Sequence, residues 1–136
     1  MRLAWLNLLL LVALGGAVVG VQAWDRPDAA VEASVRRYAT AVSTGDFEAA
    51  MAEIAPSARP TWDDWVRSQV GNVYAVTGIA VRADSLLAAP SDVTVDLDVN
   101  RGYADDFYQA SPRVAVLEVD GHWYLAAPLL APTPEL

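Results

Sequence analysis

Residues able to carry acid–base or metal chemistry are few and widely spaced in this chain. There is one histidine, His122, inside the stretch LEVDGHWYLAAPLL at 117–130, and there is neither cysteine nor lysine, so all nine basic residues are Arg. Lack of cysteine excludes disulfides, thiolate zinc sites and iron–sulfur clusters. Lack of lysine excludes Schiff-base catalysis. A metal at His122 would have to draw every other ligand from carboxylates. Strand alternation puts His122, Tyr124 and Ala126 on one face and Trp123, Leu125 and Ala127 on the other. Trp123 and Leu125 form the apolar set, so His122 is expected to face water beside the Asp120-Gly121 turn.

The acids are more numerous but equally dispersed. DLDVN, Asp96 to Asn100, has the opening of a calcium loop, but that loop needs Gly at its sixth position and Glu at its twelfth, where Arg101 and Phe107 stand. The run reads instead as a strand, with Val93, Val95, Leu97 and Val99 inward and Thr94, Asp96, Asp98 and Asn100 outward. Asp63-Asp64 sits where a helix begins and complements its dipole. Asp105-Asp106 lies in NRGYADDFYQASPR, residues 100–113, together with Tyr103, Phe107 and Tyr108. Connections longer than about 12 residues are often functional, and aromatic side chains supply contact area. Tyr103, Asp105, Asp106, Phe107 and Tyr108 are therefore the expected interaction surface. A longer hairpin extending both flanking strands is the open alternative.

Acid–base work inside a domain of this size would fall to Tyr38, Tyr74, Asp63 or Asp98. Tyr38 shares a helical face with Val31, Val35 and Val42 and reads as a core aromatic whose hydroxyl finds a partner. Asp98 is expected to point outward, and Glu118 is the one acid that departs from clean alternation. No catalytic constellation, metal site or cofactor site is expected.

The elements that would position these residues follow from periodicity. Pro27 suits a first helical turn, Val31, Val35, Tyr38 and Val42 follow at helical spacing, and Gly45 ends the helix. Asp46 caps a second helix whose buried face is Phe47, Ala50, Met51 and Ile54. Pro56 and Pro60 break the chain, and Thr61 with Asp64 forms a capping-box variant opening a third helix, with Trp62, Val66 and Gln69 on one side, Trp65 beside them, and Gly71 as its stop. Beyond residue 72 the period becomes two, Gly78 suggests a bulge, and Asp120-Gly121 joins the last two strands as a hairpin. Residues from Pro128 read as a short exposed end, with 131–136 as the tail proper. Helices followed by strands mean an α+β domain, two or three helices on a curved, mainly antiparallel sheet of four or more strands, spanning residues 25–130.

Residues 1–24 are different. Leu3 to Ala23 runs 21 residues without a charge, enough to cross a bilayer core. Trp5 and Trp24 flank it, and at the helical rise they stand roughly 28 Å apart, the spacing of two interfacial aromatic belts. Arg2 marks the cytoplasmic side and Asp25 and Asp28 the other. The expectation is a single-pass anchor in the cytoplasmic membrane with its domain outside. The competing expectation is a leader cleaved after VQA, just before Trp24. Beyond residue 23, eight Arg stand against 17 acids, a net charge of −9. Such a balance repels phosphate backbones, so nucleic acid is excluded as a partner.

VRRYATAVSTGDFEAAMAEIAP, with Tyr38, Gly45, Asp46 and Ala50, and the closing VLEVDGHWYLAAPLL resemble the nuclear transport factor 2-like, cystatin-like α+β roll superfamily. The resemblance covers most of residues 28–130 and is strongest to small extracytoplasmic members with an N-terminal anchor. It implies a fold rather than an activity, because the superfamily holds isomerases, dehydratases, cyclases and epoxide hydrolases beside non-catalytic association domains. With no catalytic set in view, the expected role is protein association or small-ligand binding by a membrane-anchored domain, as an accessory subunit of a membrane complex or by self-association. The alternative is an isomerase, dehydratase or hydrolase acting on a small apolar molecule.

Overall fold

The computed structural model describes residues 27–101 and 106–132. The apolar segment Leu3 to Ala23 with Trp5 and Trp24, and the loop residues Tyr103 and Asp105, lie outside the described residues. Among the described residues no helix is long and apolar enough to cross a membrane.

Helix α1, Asp28–Thr44, begins where the Pro27 carbonyl accepts from Ala30 N at 3.1 Å and Val31 N at 3.3 Å. Val31, Val35, Tyr38 and Val42 are all buried, as their spacing requires. Gly45 ends the helix at φ 76°, a left-handed conformation that costs other residues dearly, and Asp46 N reaches back to Ala41 O at 2.8 Å. The Asp46 side chain accepts from Ala49 N at 3.1 Å and so caps α2, Phe47–Ala52. Ala50, Met51 and Ile54 are buried, whereas Phe47 is half-buried with the Arg67 guanidinium 3.9 Å above its ring.

A 3₁₀ turn, Pro56–Ala58, leads into α3, Arg59–Gln69. This corrects the expected start at Thr61. Pro60 sits in the first turn, where its missing N–H has no helical partner to lose, so it opens the helix instead of breaking it. Thr61 and Asp64 lie inside the helix and no side chain caps its start.

The sheet comprises β1 (Val73–Arg82), β2 (Asp92–Asn100), β3 (Phe107–Ala110), β4 (Arg113–Val119) and β5 (His122–Leu125), in the order β1-β2-β4-β5 with β3 also on β2. All pairings are antiparallel. β1 occupies one edge of β2 throughout, so β3 and β4 share the other, with Leu97 opposite Ala110 and Thr94 opposite Arg113. They are one strand interrupted at Ser111-Pro112, where the Pro112 carbonyl accepts from Val95 N at 3.0 Å. Residues 107–110 of the 100–113 connection are therefore strand, as in the longer-hairpin alternative, and alternating Tyr108 and Ala110 give it an inner face.

The expected bulge falls between Val76 and Gly78. A Cβ on Gly78 would lie 2.8 Å from the Asp96 carboxylate, so a side chain there would push the Asp96 side chain aside. Asp120 at φ 52° and Gly121 at φ 80° make the tight turn of the last hairpin.

Helices close both edges of the sheet. Ser43 Oγ accepts from Tyr74 N at 2.9 Å and Gly71 N donates to Val42 O at 2.8 Å, tying the last turn of α1 to the start of β1. At the other edge, Leu125 N donates to Glu53 O at 2.9 Å and Ala55 N to Leu125 O at 2.8 Å. Ser34 and Arg37 of α1 bond the Glu53 side chain. Leu125 pairs with Val116, and Val116 N bonds Ser91 O at 3.1 Å, next to the β1–β2 connection. From residue 34 to residue 43, α1 thus travels against the direction of β1. One end of the roll holds the start of α1, the β1–β2 connection and the Asp120-Gly121 turn. The opposite end holds the start of β1, the end of β2 and the last turn of α3.

The core is apolar and continuous, with Tyr38, Ile54, Val66, Val95, Leu97, Val99, Leu125 and Leu129 fully buried. Burial of Pro128 and Leu129 corrects the expected exposed end from Pro128, because Leu129 packs into the core.

Candidate functional site

A cavity of about 470 Å³ opens at the end of the roll where β1 begins. Helix α3 presents Trp65, Ser68 and Gln69 one turn apart, Asn72 follows in the turn, Arg101 lies just past the end of β2, and Tyr108 comes from the inner face of β3. Gln69 organises the floor: its Oε1 accepts from the Tyr74 hydroxyl at 2.8 Å and from Asn72 Nδ2 at 3.3 Å. The Arg101 guanidinium stands 5.0 Å from the Tyr108 ring centroid and 3.7 Å from an Asp106 carboxylate oxygen. Trp65 Nε1 is buried with no hydrogen-bond partner, and so is the Tyr38 hydroxyl. The expected partner for the Tyr38 hydroxyl is not found among the described residues.

Burial is the main cause that pushes the Tyr38 and Tyr74 phenols above the ordinary 10.0. A second phenol nearby adds to each, Tyr74 for Tyr38 and Tyr108 for Tyr74, while Arg101 pulls Tyr74 back slightly. Both stay neutral at any physiological pH, and Tyr74 serves as a donor to Gln69, not as a base. Among the described residues that line the cavity there is no carboxylate or imidazole, the nearest acid being Asp106 at Arg101. Its groups can hold a polar or anionic moiety between an arginine, two amides and two aromatic rings.

The other expected residues are scattered. His122 is exposed at the turn, its ring 4.4 Å from Tyr124, while Trp123 and Leu125 are buried, as alternation requires. Asp63 pairs with Arg67 at 3.0 Å along α3. Asp98 lies on the outer sheet face between buried Leu97 and Val99, and Glu118 is exposed at the rim. Among the described residues no group of acids and histidine is placed to hold a metal ion. Asp106, Phe107 and Tyr108 do not form one surface. Phe107 is 66% exposed on the outer face, whereas Tyr108 points inward against the core and lines the cavity.

Two arrangements escaped sequence reasoning. One is the cavity itself, whose members come from α3, β3 and three connecting or terminal segments; the only hint was Gln69 sharing the Trp62/Val66 face of an otherwise apolar stripe. The other is buried Glu53, which accepts from Ser34 Oγ at 2.7 Å and from Arg37 Nε at 2.6 Å. Ser34 and Arg37 sit at i, i+3, one helical face, and Glu53 follows directly on α2. A shallow groove of about 450 Å³ runs beside this pair between α1 and α2, but its Arg37 is committed to Glu53. This ion pair fastens the helices together and leaves no free acid.

No protein-family model and no curated protein matches the sequence. A solved structure to which the chain is similar is an NTF-2 like protein of unknown function from Shewanella oneidensis MR-1, at 11% identity and a TM-score of 0.46, covering 74% of this chain and 95% of that one. Nothing about a ligand, partner or activity carries over at that distance.

Proposed function

We propose that this chain is a non-catalytic association domain of the nuclear transport factor 2-like type, held outside the cytoplasmic membrane by Leu3 to Ala23, and that it joins other membrane protein subunits through the outer face of its sheet. The observation that supports this reading is a row across three strands: Val73 opposite Asn100 and Asn100 opposite Phe107, with Val73 46% and Phe107 66% exposed. Residues paired across a sheet project to one face, so the two apolar groups flank a single asparagine. The next rows on that face carry Asp98 and Asp96, so the surface is apolar at one end and acidic along its length. A basic partner would be steered to it, and rising salt would weaken the association. Meanwhile Tyr38, Val95, Leu97 and Val99 are buried in the interior of the roll.

A second reading draws on the buried Trp65 indole N–H, a donor without a partner at a cavity that also holds Arg101. It is a binding site for a small anion with a planar body. The two readings are compatible, since cavity and outer row share the same end of the molecule.

A photo-crosslinking amino acid at position 107, in the full chain in its own membrane, distinguishes association from isolation. An adduct with a second polypeptide is expected. Phe107→Ser should then lose the co-purifying partner in mild detergent while thermal unfolding stays nearly unchanged, because the ring lies outside the core; truncating a hot-spot aromatic commonly costs about 2 kcal/mol or more of association. No adduct, together with undiminished co-purification, would place the interface elsewhere.

A further inference from the structure

The β1–β2 connection reads ADSLLAAPS over residues 83–91, and Leu86 and Leu87 at its apex are 79% and 89% exposed. One bare leucine needs no explanation, but two in succession on a protruding tip do. Nothing among the described residues accounts for them: the tip is a turn closed by Ala88 N on Ser85 O at 3.1 Å, and neither leucine belongs to the core or packs against it. The strand register places this tip at the end of the roll where α1 starts, and Val119, also exposed, belongs to the second turn at that end. In the sequence the apolar run finishes at Ala23, so the four steps to Pro27 allow at most ~14 Å between them.

We propose that the Leu86-Leu87 tip dips into the interfacial layer of the bilayer that holds Leu3 to Ala23, a second contact that fixes the tilt of the domain. The inference rests on the membrane-anchored reading above. An amphipathic element buries its apolar residues only a few ångströms into the headgroup boundary, a depth that two side chains on a hairpin tip can reach. Asp84 and Asp120 flank the two turns, so the surface it suits is zwitterionic, not strongly anionic. With two contacts at one end, the outer row of Val73 and Phe107 and the mouth cavity are held away from the lipid and open to a partner.

Absence of cysteine makes the test clean. Ser85→Cys keeps both leucines and takes an environment-sensitive fluorophore; Gln109→Cys, on the outer face near the other end, is the control. The full labelled chains are reconstituted into phosphatidylcholine vesicles with and without brominated acyl chains. The label at 85 should shift to the blue and be quenched several-fold more strongly by bromine than the label at 109, and Leu86→Ser/Leu87→Ser in the same chain should abolish that difference. A label at 85 that behaves as in water while the chain floats with the vesicles overturns the inference and leaves the anchor standing. A label shielded from aqueous iodide but untouched by bromine means that protein covers the tip, which overturns it equally. A chain that does not float with the vesicles defeats the anchor reading and this inference together.

Discussion

At the end of the roll where α1 starts, the strands are joined by turns and the apolar groups left outside are aliphatic: Leu86, Leu87 and Val119. At the opposite end one exposed aliphatic group, Val73, stands among Trp65, Gln69, Asn72, Arg101, Phe107 and Tyr108, rings and hydrogen-bonding heads in fixed registry. Aliphatic side chains on a tip discriminate by polarity alone, which is what contact with a fluid apolar medium requires. Aromatic rings beside an arginine and amides discriminate by shape and direction, which is what a particular partner or ligand requires. The two ends also stand differently. The first is held by packing around Trp123 and Leu125, while the second is held by polar bonds that converge on Gln69.

The largest effect should come from breaking the packed end. Trp123→Ala removes a buried ring next to the last turn and should destabilise the domain by about 3–5 kcal/mol in denaturant unfolding. His122→Ala, one residue away on the wet face, should stay within about 0.5 kcal/mol. If His122 were the more damaging of the two, the face assignment of β5 would be wrong by one residue and a working role for the histidine would return.

At the polar end, Gln69→Ala removes the acceptor of the Tyr74 hydroxyl and of Asn72. A buried donor left unpaired costs about 1–3 kcal/mol, so stability should fall by less than in the tryptophan variant. The emission of Trp65, which lines the same cavity, should change with it. A variant with unaltered stability and emission would mean that the cavity floor is solvated and not built.

Where one strand or helix face decides a residue's place, the sequence showed it. The Val31–Val42 stripe, the Asp46 cap, the alternation of β2 and the Asp120-Gly121 turn all depend on local geometry, and all stand as expected. What the sequence missed or left open is mostly decided by a distant contact. Pro60 is the local exception: it opens α3 because its missing N–H has no helical partner to lose in the first turn. Residues 107–110 become a strand because the far half of β2 offers them an edge, and this sends Phe107 and Tyr108 to opposite faces. The cavity is assembled from α3, β3 and the segments at Asn72, Arg101 and Leu130, and no spacing within one element announces it.

The smallest expected effect separates the two ends by pH. Asp92, at the root of the Leu86-Leu87 hairpin, accepts from Arg113 Nε at 2.9 Å and from Nη2 at 2.8 Å. That bidentate pairing holds its carboxyl below the ordinary 3.8, the hydrogen bond to Arg113 outweighing the opposing effect of burial, with Ser91 and Arg82 assisting. Because the folded value is the lower one, the contribution is present above the unfolded value and lost as pH falls through the folded one. Asp92→Asn should therefore be slightly less stable than the parent at neutral pH, and the difference should vanish in strong acid. Arg113 is 59% exposed, so solvent and salt keep the effect small, as for other surface pairs. The opposite end has the reverse dependence. Tyr38 and Tyr74 have folded values raised above 10.0, so what they contribute is complete below that pH and is lost as the pH rises toward those values. Unfolding followed across the pH range should show the acid-side loss flattened by Asp92→Asn and the alkaline-side loss untouched by it. A parallel change on both sides would mean that the two ends do not titrate independently and that the roll couples them.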